Sequence, residues 1–102
     1  PVLPSIPPEA IERVVRQNQI QIQACYEARL NAIPGLSVDL EVLLRVDADG
    51  HVDRAEVTRG AGEDPALTRC VMERVTRWRF PAPRHGSVQI RRELRLRPPE
   101  DG

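Results

Sequence analysis

Residues 64–83 read DPALTRCVMERVTRWRFPAP, a stretch with the signals of a short helix bounded at both ends. The carboxylate of Asp64 can accept a hydrogen bond from the first helical turn. Pro65 fits that turn because the N–H it lacks would have no partner there. Apolar residues then recur at helical spacing, namely Leu67, Val71, Val75 and Trp78, with Cys70 beside them. Pro81 and Pro83 prevent continuation, so the helix is predicted to end before them.

The same stretch contains Trp78 and Phe80, two of the three aromatic residues of the chain. Large aromatic side chains most often seal a small core, and we therefore expect this segment to cover the core. Trp78 is predicted to be a core residue. For Phe80, which follows the helix, two interpretations stay open: a core position, or a half-exposed contact for a partner.

A second helix is predicted upstream, beginning at Glu9 and ending before Pro34 and Gly35. One side of it collects residues at helical spacing, namely Ile11, Val14, Val15, Asn18, Ile22, Cys25, Tyr26, Arg29 and Leu30. Ile20 lies off this stripe, and we expect it to be exposed.

Three stretches show the period of two that is typical of strands. Residues 37–47 alternate between apolar and polar, and Asp49 and Gly50 then give a strong hairpin signal. Residues 51–59 form the returning strand, in which a slip of phase between Val52 and Ala55 predicts a bulge. Residues 87–97 form the last strand, before two prolines.

The predicted fold is therefore α+β, in the order α-β-β-α-β. A right-handed crossover through the helix of residues 64–83 lets the third strand lie beside the first. Asp39 and Glu41 on the first strand would then face arginines of the third, a favourable pairing. We predict a three-stranded antiparallel sheet of order 2-1-3, with both helices on one face and the last strand at an edge.

Composition excludes several classes of protein. The 102 residues suit one domain, and no apolar run approaches the ~20 residues that span a bilayer. Net charge is zero, although residues 1–68 carry −5 and residues 69–97 carry +7. A nucleic-acid reader usually has a basic domain and aromatic residues for stacking, so no nucleic-acid partner is expected.

Catalytic and metal-binding motifs are missing from the sequence. His51 and His85 are predicted to lie in turns without a partner, and the two Cys and two His have no ligand spacing. Asp47 and Asp49 precede Gly50 too closely for a calcium loop of the EF-hand type. We therefore expect no enzyme, no metal and no cofactor.

Three segments carry a resemblance to a known family: ERVVRQNQIQIQACYEARL, the hairpin around DADGHV, and LTRCVMERVTRWRFPAP. They resemble the AgmX/PglI C-terminal domain family of gliding bacteria, which is similar to the C-terminal domain of TonB. The resemblance covers about residues 10–97. It implies a periplasmic, non-enzymatic module of an inner-membrane-anchored envelope complex, for gliding motility or TonB-like energy coupling.

The resemblance also implies a mechanism, in which a peptide of an outer-membrane or periplasmic partner adds as a strand along the last strand. The predicted partner-binding residues are Val88, Ile90, Arg91, Glu93, Arg95, Arg97 and Phe80, with the arginines selecting acidic partners. Arg92 departs from the pattern, because it occupies the inward phase of the strand, where an apolar residue or Pro is expected. Two alternatives remain: self-association of two copies through the same edge, or binding of peptidoglycan or another anionic polymer through the arginines.

Cys25 and Cys70 lie on the core-facing sides of the two predicted helices, where they could be a disulfide or two buried thiols. The resemblance to periplasmic domains favours the disulfide. The sequence begins PVLPSIPPE without an initiator Met, and we interpret residues 1–9 as the end of a Pro-rich linker. Residues 10–97 would be the domain and residues 98–102 a tail, in a parent protein anchored in the inner membrane.

Overall fold

The computed structural model describes residues 3–99, and in that range it has three helices and three strands. The elements are α1 (Pro8–Gln17), α2 (Gln19–Ala32), β1 (Val38–Val46), β2 (Val52–Arg59), α3 (Pro65–Val75) and β3 (Val88–Leu96). The strands form one antiparallel sheet of order β2-β1-β3. The α+β class and the sheet order predicted from the sequence are confirmed.

The predicted upstream helix is two helices, α1 and α2, separated at Asn18. The Asn18 side-chain amide donates to the Val14 carbonyl oxygen at 2.8 Å, and the Asn18 backbone has φ −106° and ψ 5°. A side chain that bonds the helix carbonyl four residues back competes with the regular backbone ladder and often bends a helix. Ile20, just after the break, is 77% exposed, as its place off the apolar stripe predicted.

The Pro-rich segment before α1 contributes to the folded unit. Ser5 and Arg84 exchange two backbone hydrogen bonds, of 3.0 and 2.9 Å, and Ile6 is a buried core residue. Helix α1 begins at Pro8, where proline at the first helical position costs no hydrogen bond. The folded part of the chain therefore includes residues that precede the predicted boundary at residue 10.

The β1–β2 hairpin closes through Gly50, which has φ +91°. The Gly50 carbonyl oxygen accepts the Phe80 N–H at 2.9 Å, and a Cβ on Gly50 would lie 2.1 Å from the Phe80 carbonyl oxygen. Glycine is required both by the positive φ and by this close approach. The contact also draws the segment after α3 onto the hairpin, and Phe80 is buried there.

All three helices lie on one face of the sheet, and the core fills the space between. On β1 the residues that face the core are fully buried, namely Val38, Leu40, Val42, Leu44 and Val46. They meet Ile22, Cys25 and Tyr26 of α2 and Leu67, Val71 and Val75 of α3. The opposite face of β1 carries Asp39 and Arg45, which are exposed to solvent.

Helix α3 has the predicted cap. Asp64 is 3% exposed, and its Oδ1 accepts the Leu67 N–H at 2.9 Å. Arg29 of α2 places its Nε 3.1 Å from both carboxylate oxygens of Asp64. Burial alone would raise the pKa of the Asp64 carboxyl. The Leu67 N–H and the Arg29 guanidinium outweigh burial and lower that pKa below its ordinary value.

Candidate functional site

β3 lies at the edge of the sheet, and its pairing with β1 is regular. Nine consecutive pairs run from Val38 opposite Leu96 to Val46 opposite Val88, with no shift of register. Within residues 3–99, no strand pairs with the other side of β3. A long edge strand in unbroken register offers a row of unpaired N–H and C=O groups in the spacing that another strand needs.

β2 forms the opposite edge, and two irregularities interrupt it. Arg45 pairs with Arg54 while Val46 pairs with Val52, so Asp53 is an extra residue. This bulge confirms the slip of phase predicted from the sequence. Thr58 is a second extra residue, between the partners of Glu41 and Val42. Bulges twist an edge and disturb its ladder, so β2 is a poorer template for an added strand than β3.

The arginines on the solvent-exposed face of β3 are paired with carboxylates. Arg97 and Asp39 approach within 2.8 Å, and Arg91 and Glu41 within 3.7 Å, so the predicted pairing between strands β1 and β3 is confirmed. Arg95 pairs with Glu93 of its own strand at 2.9 Å, and this hydrogen bond raises the pKa of the Arg95 guanidinium. The Arg91 and Arg95 side chains remain 67% and 74% exposed, so an incoming carboxylate could still reach them.

Arg92, the residue that departs from the strand pattern, faces α1. Both of its terminal nitrogens donate to the Glu12 carboxylate and form a bidentate ion pair, in which Nη2 lies 3.0 Å from Oε2. The hydrogen bonds from Arg92 lower the pKa of Glu12 below its ordinary value, against the opposing effect of desolvation. The pair joins β3 to α1 across the rim of the core.

A groove of roughly 300 Å³ lies between β3 and the corner where α1 meets α2; we call it the edge groove. Its β3 wall includes Arg92, Leu94 and Leu96, the residues on the helix side of the strand. Its helix wall includes Val15, Gln19 and Ile22, and Trp78 also lines it. No sequence pattern predicted this groove, because its helix wall and its β3 wall lie about 70 residues or more apart in the chain.

Trp78 is the predicted core residue, at 4% exposure, but its polar atom is not satisfied. Among the described residues, Trp78 Nε1 is the buried side-chain nitrogen or oxygen without a hydrogen-bond partner. Buried indole N–H groups usually find an acceptor, and an orphaned donor costs about 1–3 kcal/mol. The unsatisfied group therefore lies in a residue of the edge groove.

The residues predicted to bind a partner fall into two groups. Arg91, Glu93, Arg95 and Arg97 are exposed along β3. Val88 is half-buried, Ile90 is 8% exposed and Phe80 is 6% exposed, so the last two belong to the core. Of the two interpretations of Phe80, the core position is the correct one.

Cys25 and Cys70 form a disulfide, with an S–S distance of 2.00 Å and 5.8 Å between the Cα atoms. The bond ties α2 to α3 beside the Arg29–Asp64 pair. Closing a loop of 45 residues stabilises a fold by about 4 kcal/mol in the chain-entropy model.

The acidic turn between β1 and β2 has a structural role. Asp47 Oδ1 accepts the backbone N–H groups of Asp49 and His51, each at 2.9 Å. His51 Nδ1 also lies 3.7 Å from Asp47 Oδ1, so the prediction that His51 is unpartnered is wrong. Asp47, Asp49 and His51 lie close together, but the Asp47 carboxylate is already engaged in fixing the turn.

Comparison of the chain with protein-family models, with curated proteins and with solved structures finds no match. In the part of the chain that the structure describes, no helix has the length and apolar character needed to cross a membrane.

Proposed function

We propose that this chain is a protein-interaction module that binds an extended peptide of a partner protein by strand addition along β3. The observation that carries the proposal is the contrast between the two sheet edges. β3 keeps nine pairs with β1 in unbroken register, whereas β2 is interrupted by two bulges. In strand addition, backbone hydrogen bonds give affinity and alternate side chains give specificity.

The proposed setting is the periplasm, as part of an inner-membrane-anchored envelope complex. The Cys25–Cys70 disulfide supports an extracytoplasmic location, because disulfides persist in oxidising compartments and are rare in the cytosol. The resemblance to the AgmX/PglI and TonB C-terminal domains adds a role in gliding motility or energy coupling. The partner would then be an outer-membrane or periplasmic protein.

The test is a proline substitution that removes one N–H from the free side of β3. Successive residues of an edge strand direct their N–H groups alternately toward and away from the neighbouring strand, and fast amide exchange identifies the outward ones. A proline at an outward position of β3 should abolish capture of the partner from an envelope fraction. A proline at an outward position of β2 is the matched control and should leave capture intact.

The outcome also separates the proposal from the two alternatives. Equal capture by both proline variants would contradict strand addition at β3. If sedimentation over a concentration series shows a dimer that the β3 proline variant loses, the edge serves self-association instead. Binding that survives both variants but weakens steeply with salt indicates an anionic polymer.

A further inference from the structure

The edge groove lies where the side chains of an added strand would have to go. Residues of a strand point alternately to the two sides of the sheet, and a new strand beside β3 keeps the same alternation. Arg92, Leu94 and Leu96 occupy the helix side of β3 and line the edge groove. Every second residue of an added strand would therefore face this groove, an inference that rests on the proposed strand addition.

The walls of the edge groove are suited to apolar side chains. Val15 and Leu94 are half-buried, so each keeps apolar surface that a ligand can cover. Ile22 and Leu96 are almost fully buried and provide an ordered backing. The distance from Arg92 to Leu96 is about 13 Å in an extended strand, which gives room for two alternate side chains of the ligand.

Trp78 also lines the edge groove, and its indole nitrogen is buried beneath the surface. Its Nε1–H has no acceptor among residues 3–99, although the residue is 4% exposed. The Nε1 atom is itself buried, so the part of Trp78 that lines the groove is its indole ring, which offers apolar surface to a seated peptide. Trp78 therefore adds to the apolar wall of the edge groove.

The charges of the edge groove favour an acidic ligand. The groove is lined by Arg16, Arg92 and Arg95, against Glu12 and Glu93. Arg92 pairs with Glu12 and Arg95 with Glu93, while Arg16 has no ion-pair partner in the described part of the chain. A second copy of β3 would bring more arginine than glutamate to this edge, so a partner segment with carboxylates fits better than another copy.

We propose that the edge groove is the specificity pocket of the added strand and selects a peptide segment that alternates apolar and acidic residues. The apolar side chains enter the groove on the helix side, and a carboxylate at the groove rim or on the solvent-exposed face pairs with Arg16, Arg91 or Arg95.

Three synthetic peptides of about nine residues test the proposal: one alternates Val and Glu, one alternates Ser and Glu, and one alternates Val and Lys. Trp78 is the single Trp of the chain, so its fluorescence reports occupation of the groove directly. The Val/Glu peptide should bind at least about tenfold more tightly than either of the others, because it alone buries apolar surface and matches the charge. Its binding should also shift the Trp78 emission.

A pair of matched variants localises the binding. Gln19 is exposed and lines the edge groove, whereas Gln21 is exposed and does not. Gln19→Phe should fill the groove and remove the preference for the Val/Glu peptide. Gln21→Phe should bind like the wild type, and both variants should unfold at the wild-type denaturant concentration.

The outcomes distinguish this proposal from strand addition itself. If the Val/Glu and Ser/Glu peptides bind equally, and methylation of alternate peptide nitrogens abolishes binding of both, strand addition stands and selection by the groove is overturned. If the Val/Glu peptide binds but tolerates methylation at every alternate set, the groove binds and strand addition is overturned. Failure of the Val/Glu peptide to bind, or equal binding by Gln19→Phe, overturns the groove proposal.

Discussion

Arg92 shows how a single residue can depart from its local pattern for a reason that lies far away in the chain. The alternation of β3 predicts an apolar residue there, and the structure instead places the Arg92 guanidinium against Glu12 of α1. Long cationic side chains can cover apolar surface with their stems while the charged end reaches a carboxylate at the rim. The partner is 80 residues away, so no reading of the strand alone identifies it.

Loss of the Asp64 carboxylate should destabilise the fold, because this buried group holds two elements together. Asp64 caps α3 through Leu67 and receives Arg29 from α2, within a nearly buried site. Asp64→Ala removes the cap acceptor and leaves Arg29 without its carboxylate, so the free energy of unfolding should fall by about 2 kcal/mol. Urea titration measures this. Asp64→Asn, which keeps an acceptor for the cap, is the control and should lose less.

The lowered pKa of Asp64 also makes the stability of the fold depend on pH. The folded-state pKa of Asp64 is lowered, so its contribution is fully present above the unfolded value of about 3.9 and is lost as pH falls through the folded value. The stability gap between wild type and Asp64→Asn should therefore be constant near neutral pH and narrow below about pH 4. Denaturant titrations at a series of pH values check this. A gap that stays unchanged in acid would contradict it.

At the scale of elements, the hairpin turn gives a prediction with a built-in control. Gly50 and Gly35 both have positive φ, but a Cβ would meet the Phe80 carbonyl only at Gly50 and finds nothing within 4 Å at Gly35. In both alanine variants the positive φ should lower the free energy of unfolding by about 1 kcal/mol or more. Gly50→Ala should lose markedly more stability than Gly35→Ala, because the contact with Phe80 must also open. Thermal unfolding measures both variants, and an equal fall in their melting temperatures would show that the contact with Phe80 does not contribute to stability.

The disulfide connects two elements, and its removal should affect stability before function. Replacing Cys25 and Cys70 with Ala should lower the free energy of unfolding by about 3–4 kcal/mol, because the unfolded chain loses its cross-link. Reducing agent should lower the denaturant concentration at the unfolding midpoint of the wild type. It should leave the midpoint of the double variant unchanged. Below its unfolding midpoint, the double variant should still bind its partner, because neither cysteine lies on β3 or in the edge groove.

Most elements could be predicted from the sequence because their signals are local. The capped start of α3, the strand alternation, the turn at Gly50 and the bulge near Asp53 each depend on a few neighbouring residues. The bend at Asn18 could not be predicted, because Asn18 fits the helical stripe and the bend follows from its own side chain bonding to Val14. The edge groove is lined by residues from the two ends of the chain, so the sequence could not indicate it either.

At the scale of the whole molecule, ion pairs within the fold bring the acidic and basic parts of the chain together. The acidic first part and the basic later part meet as the Arg97–Asp39, Arg91–Glu41 and Arg92–Glu12 pairs. The arginines of β3 are therefore not a bare basic stripe, which argues against a general polyanion site. A partner must supply backbone pairing and a fitting side-chain pattern in addition to negative charge.

The two edges of the sheet differ in regularity, because bulges disturb β2 while β3 stays regular. The most direct test of the account is amide hydrogen exchange across the sheet, measured residue by residue with and without the captured partner. Strand addition predicts new protection at alternate amides of β3, those directed away from β1, with β2 unchanged. Protection on β2, or no change on β3 when the partner is bound, would contradict it.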